Sequence, residues 1–144
     1  IAEASGMPCA EGKDGEFIEA GRIYVAPGDY HMLVKKDHAG RPHIKLSKDK
    51  EVNFCRPSVD VMFDSMVDVY NNRIMGIVLT GMGSDGANSL SRIVGKGGIV
   101  IAQDKKSSAV WGMPKAAADS GCCTKLLPPS GIANYIMGKI GGSQ

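Results

Sequence analysis

The chain has 144 residues, 43% of them apolar and 22% charged, with a formal net charge of +2. This length supports one domain with a real core, and the composition is that of a globular chain rather than a disordered or fibrous one. Lys and Arg are dispersed, which argues against a nucleic-acid partner, and no apolar run approaches the roughly 18 residues of a membrane helix.

The sequence opens on Ile1, so the lack of a signal peptide carries no information. Cys9, Cys55, Cys122 and Cys123 form no C-x-x-C pair, and the adjacent pair cannot bridge without strain. Free, mostly buried thiols in a reducing cytosol are expected. His31, His38 and His43 lack helical metal spacing and are read as ordinary strand or turn residues, with no metal site.

In chain order, "RIYVA" (22–26) is a short β-rich run stopped by the turn signal "PGD". "HMLVKK" (31–36) and "PHIKL" (42–46), separated by a polar Gly-containing turn, predict an antiparallel hairpin with a Lys-rich exposed edge. Over residues 56–70 the period changes: Val59, Met62, Phe63, Met66, Val67 and Tyr70 recur at helical spacing. Pro57 and Ser58 supply its start. Asp60, Asp64 and Asp68 share the opposite face and are expected to be solvated rather than metal-binding.

"IMGIVLT" (74–80) has the unbroken apolar character of a strand buried on both faces. "DGANSLSRIVG" (85–95) predicts a helix, with Gly95 as its stop, and "GGIVIAQ" (97–103) a second buried strand. Strand, Gly-rich turn, helix, strand implies a parallel crossover. A helix over "PKAAADS" (114–120), a strand in "CTKLL" (123–127) and a closing helix over 128–140 complete the pattern, the last with Ile132, Ile136, Met137 and Ile140 inward. The fold class is α/β: a partial doubly wound, mainly parallel sheet with an antiparallel hairpin.

The Gly-rich turn "TGMGSDG" (80–86) has three readings. Glycines at 81, 83 and 86 match G-x-G-x-x-G, and Asp104 stands about where a dinucleotide fold places its ribose-binding acid. Against this, more than half the chain precedes the turn, and Asp85 would repel a bound phosphate in a dry site. No G-K-[ST] follows, so a phosphate loop also fails. Alternatively the turn presents Asp85 at the carboxyl edge of the sheet, where a carboxylate can orient a histidine. Thirdly, Asp85 caps the following helix, the commoner use of Asp at such a place.

"VLTGMGSDG" (78–86) resembles the signature of the catalytic domain of the bacterial chemotaxis protein-glutamate methylesterases, the CheB family. "GRIYVAPGDYHM" (21–32), "CRPSVDVMFDSM" (55–66), "IAQD" (101–104) and "VWGMPKAA" (110–117) resemble further family segments in the same order, so the likeness runs from about residue 11 to 140. The resemblance implies hydrolysis of γ-glutamyl methyl esters on methyl-accepting chemotaxis receptors, often with glutamine deamidation, by a Ser–His–Asp triad and without a cofactor. It implies that Asp85 is the triad acid and that Met82 belongs to the oxyanion loop.

The family's serine turn, a Gly-Ala-Ser-Thr-Gly-Gly-like segment, and its Gln-His-Met-like histidine segment have no match here, and there is no G-x-S-x-G. His31, in "DYHM", aligns with the hairpin rather than the catalytic histidine. The chain is therefore expected to be a single-domain carboxyl-terminal part of the catalytic domain, inactive alone, whose longer form carries an amino-terminal receiver domain. Uncovered sheet surface would favour a homodimer. A degenerate, non-catalytic binding module of the same fold is the alternative. Arg56 is read first as an ion-pairing or capping residue, and second as a cation facing acidic receptor segments.

Overall fold

The computed structural model describes residues 2–141. The chain forms two compact units, Ile1–Tyr70 and Asn71–Gln144. The first contains α1 (Ala2–Ser5), β1 (Cys9–Glu11), β2 (Ile23–Val25), β3 (His31–Lys36), β4 (Pro42–Ser47) and α2 (Val59–Tyr70). The second contains β5 (Met75–Val78), α3 (Leu90–Gly95), β6 (Ile99–Gln103), α4 (Met113–Asp119), β7 (Lys125–Leu127) and α5 (Pro129–Gly141).

In the first unit β3 and β4 pair antiparallel, with Val34 opposite Ile44, giving the predicted hairpin. Met32, Val34 and Ile44 point into the core while Lys35, on the opposite face, reaches solvent, as period-two alternation requires, and Lys36 at the strand's end is exposed as well. Helix α2 packs on β3 through Phe63 and Val67. Ser65 ties the two together, its Oγ accepting the Val34 amide at 2.9 Å and donating to the Met62 carbonyl at 2.8 Å. Burying a side chain such as Ile44 contributes about 2–3 kcal/mol.

Ser58 starts α2 as predicted, its Oγ accepting the Val61 amide at 3.5 Å. The acidic face departs from expectation. Asp60 is only 4% exposed, because the Asn53 side-chain amide donates to its Oδ2 at 2.7 Å and replaces water. His31 is buried as well: its Nδ1 accepts the Ser58 amide at 3.2 Å and its Nε2 lies 2.9 Å from the Lys50 carbonyl. A carbonyl can only accept, so the ring is the neutral Nε2–H tautomer, with both nitrogens in use. The sequence also contains a strand with no periodic signal: β1, three residues long, pairs parallel with β2.

The second unit is a three-stranded parallel sheet of order β5-β6-β7. Central β6 buries Val100, Ile101, Ala102 and Gln103 on both faces. Strand β5 is different. Among the described residues it pairs only with β6, and its burial alternates, so the expectation of two buried faces holds for β6 alone. Helix α3 begins at Leu90, five residues later than predicted, because Gly86 at φ 96° cannot continue a helix. The left-handed residue past its end is Gly97 (φ 92°) rather than Gly95, with the Gly98 amide bonding the Ile93 carbonyl at 2.9 Å. In α5, Ile132 is buried, but Met137 and Ile140 are 69% and 63% exposed and do not face inward. The four cysteines are free, as expected, but half-buried rather than fully buried.

Candidate active-site loop

The carboxyl end of β5 runs into residues 79–89, which form turns rather than helix. Two chain segments lock the start of this loop. The Thr80 amide donates to Gln103 Oε1 at 2.8 Å, and Gln103 Nε2 donates to the Ser107 carbonyl at 3.0 Å. Thr80 Oγ1 accepts the Val110 amide at 2.8 Å and donates to the Val110 carbonyl at 3.1 Å. Gly81 then pairs with Trp111 in a parallel bridge: its amide donates to Val110 O at 3.2 Å, and its carbonyl accepts the Met113 amide at 2.8 Å.

Gly112 is the keystone of this contact. A Cβ there would lie 2.6 Å from the Gly81 carbonyl oxygen and about 3 Å from backbone atoms of Gly83, so only glycine lets the two backbones meet. Beyond the lock, Gly83 turns the chain at φ 92° and Gly86 at φ 96°. Between them the loop divides by exposure. Met82 is 85% exposed, with Gly83 and Ser84 also at the surface, whereas Asp85 is 4% exposed. Among the described residues the amides of Met82, Gly83 and Ser84 donate no hydrogen bond, while that of Gly81 is committed to Val110. The loop thus offers uncommitted amides on exposed residues beside one buried carboxylate, the two kinds of group an acyl-transfer site uses for an oxyanion and for orienting a histidine.

The geometry also bears on the sequence readings. Ser89, not Asp85, stands at the N-cap position of α3. The six-residue α3 starts four residues after Gly86, so the glycines do not open a helix whose N-terminus could hold a pyrophosphate. Asp104 organises its own turn, its Oδ1 accepting the Ser107 amide at 3.0 Å and the Ser107 hydroxyl.

Met82 and Asp85 therefore share one loop. Arg56 belongs to the other unit, where its guanidinium bonds Asp29 Oδ1 (3.1 Å from Nε, 2.5 Å from Nη2) and the carbonyls of Lys48 and Asp49. Lys48 joins the same carboxylate at 2.8 Å. Hydrogen bonds from Lys48 and then Arg56 hold the Asp29 carboxyl down at about 2. This is the ion-pair role that the sequence favoured for Arg56. Among the described residues no group of three His, Cys, Asp or Glu side chains is arranged to hold a metal, and no helix is long and apolar enough to cross a membrane. The backbone lock by Gly112, Gln103 and Thr80 leaves one signal in the sequence, a glycine inside "VWGMP", between an aromatic residue and a helix start.

Comparison with known proteins gives the frame for this loop. A family model for CheB methylesterase matches residues 1–136. The chain belongs to the CheB methylesterase family. It is 47% identical over 137 residues to the protein-glutamate methylesterase/protein-glutamine glutaminase 1 of Rhodospirillum rubrum, covering 95% of this chain and 35% of that protein. It is 48% identical over 144 residues to the corresponding protein of Rhodopseudomonas palustris, covering all of this chain and 37% of that one. The chain thus spans about a third of the length of the curated relatives it matches. Among solved structures, the CheB methylesterase catalytic domain of Thermotoga maritima superposes with a TM-score of 0.84 at 35% identity, over 88% of this chain and 67% of that chain. The α/β class, with parallel strands and one antiparallel pair, is that of this family, and the dinucleotide reading falls.

Proposed function

We propose that this chain is part of the single catalytic domain of a protein-glutamate methylesterase and supplies its triad acid, Asp85, and its oxyanion-side loop around Met82. The longer protein hydrolyses glutamyl methyl esters on methyl-accepting chemotaxis receptors in the cytoplasm, deamidates receptor glutamines, and carries an amino-terminal receiver domain. The observation that carries this reading is the pairing of a 4%-exposed carboxylate with uncommitted amides on exposed residues in one Gly-locked loop at the carboxyl end of a parallel strand.

In this reading a serine Oγ attacks the ester carbonyl while a histidine takes its proton. Asp85 accepts the other ring N–H, fixes the tautomer and stabilises the imidazolium as it forms. Burial strengthens that interaction, because little water screens it. The amides of residues 82–84 face the developing oxyanion. Serine and histidine come from segments with no match in these 144 residues, so the chain alone releases no methanol. An apolar groove between β5 and α5, lined by Ile77, Leu79, Ile132 and Ile136, supports self-association of the isolated chain.

The test is methanol release from methylated receptor by the longer protein. Asp85→Asn, which keeps the shape and removes the charge, is expected to lower the rate by about 10⁴-fold. A rate within tenfold of the unaltered protein would refute the role of Asp85.

A further inference from the structure

The turn at residues 52–55 puts a large side chain where glycine is the easy choice. Val52 and Cys55 exchange backbone hydrogen bonds at 3.0 and 2.9 Å, closing a two-residue turn over Asn53 and Phe54. Both central residues are left-handed, with φ 54° and 63°, the pattern of a type I′ turn, in which Asn followed by Gly is the strain-free pair. Asn53 fits that pattern and Phe54 does not. A bulky residue at positive φ is an outlier that costs folding free energy. Nothing inside the unit offsets this cost, because Phe54 is 97% exposed.

The turn stands on a fixed base. Asn53 Nδ2 is bonded to Asp60, the Lys50 carbonyl to His31, and the Lys48 and Asp49 carbonyls to Arg56. A ring held this way loses little conformational freedom when it docks. Beside it lies an open recess of about 680 Å³ lined by Lys50, Glu51, Asn53, Phe54 and Arg56. Arg56 is occupied by Asp29, with Glu51 adding to its local field. Lys50 makes no ion pair among the described residues, so its ammonium is the cation left for a partner, while the Glu51 carboxylate acts on Arg56. An aromatic anchor next to an unspent cation fits an acidic protein surface.

We propose that Phe54, with Lys50 beside it, is a docking anchor for the protein substrate. The ring enters an apolar seam of the receptor while Lys50 faces carboxylates that flank it. This rests on the methylesterase reading and concerns substrate capture rather than chemistry. The experiment is calorimetric titration of the 144-residue chain with the soluble signalling portion of a chemotaxis receptor bearing free glutamates, together with a melting curve for each variant. Phe54→Gly is expected to weaken binding by about tenfold or more while its melting midpoint stays level or rises. Phe54→Tyr is expected to keep the affinity within about threefold, and Lys50→Glu to weaken binding and reduce its salt dependence. No binding by the unaltered chain, or equal affinity for Phe54→Gly, would overturn the anchor. A lower midpoint for Phe54→Gly would make the ring structural and overturn it too. Methanol release by the Asp85 variant is read on a different protein, so failure of the anchor and failure of the esterase reading are told apart.

Discussion

Two turns in this chain enter the left-handed region of backbone space by opposite means. The loop at 80–86 does so at Gly83 and Gly86, where the conformation is nearly free. The turn at 52–55 does so at Asn53 and Phe54, where a side chain must be carried through it. The glycine loop spends no strain on its shape and is held by neighbours, above all by the backbone contact at Gly112. The side-chain turn is strained and presents what it carries to solvent. Cheap geometry thus goes with the loop proposed to place backbone amides, and costly geometry with the ring proposed to dock.

Substitutions test that contrast, the largest effect first. Gly112→Ala drives a methyl into the Gly81 carbonyl and is expected to cost about 3 kcal/mol in denaturant unfolding, with loss of the loop's fixed position. A cost below about 1 kcal/mol would mean the two backbones are not locked. Gly83→Ala meets open space, so only the φ of 92° opposes it, and about 1–2 kcal/mol is expected in the same measurement. If Gly83→Ala proves as costly as Gly112→Ala, sterics rather than backbone preference governs the loop.

The smallest effect belongs to Asp29, which anchors the base of the side-chain turn through Arg56. Its carboxyl sits at about 2 against an ordinary 3.8, so the native state binds its proton less readily than the unfolded state. The ionised form therefore stabilises the fold above about pH 3.8, and this contribution fades as pH falls through about 2. Asp29→Asn should flatten the fall in melting midpoint between pH 5 and 2, and added salt should shrink the difference, because the group is exposed. An unchanged pH profile in the variant would remove Asp29 from the turn's support.

What the sequence made legible follows from what periodicity can encode. The hairpin and α2 each bury a face that repeats at a fixed interval and stand where that interval puts them, and the order β5–α3–β6 follows the predicted crossover, although β5 buries alternate residues where two buried faces were expected. The start of α3 was not, because "DGANSL" contains good capping residues and only the backbone angle at Gly86 shows that the helix waits until Leu90. Asp60 lies on the polar face by period, yet the Asn53 amide, seven residues back, lets it be buried. Met137 and Ile140 repeat at helical spacing, but periodicity says which residues share a face and not whether anything covers them. At the candidate site, glycine spacing announced a loop and placed Met82 and Asp85 together. The Gly112 contact was invisible, since it joins backbones about thirty residues apart and leaves no side-chain pattern.

The division of labour among the loop amides also has a time signature. Thr80 and Gly81 donate to Gln103 and Val110, so their hydrogens leave for solvent only when the loop opens. Those of Met82, Gly83 and Ser84 have no such gate and should exchange with deuterium near the rate of a free peptide. Five consecutive positions thus form a built-in clock with a sharp step between residues 81 and 82, and anything that seats an oxygen against the open three would slow them while leaving the first two as they were.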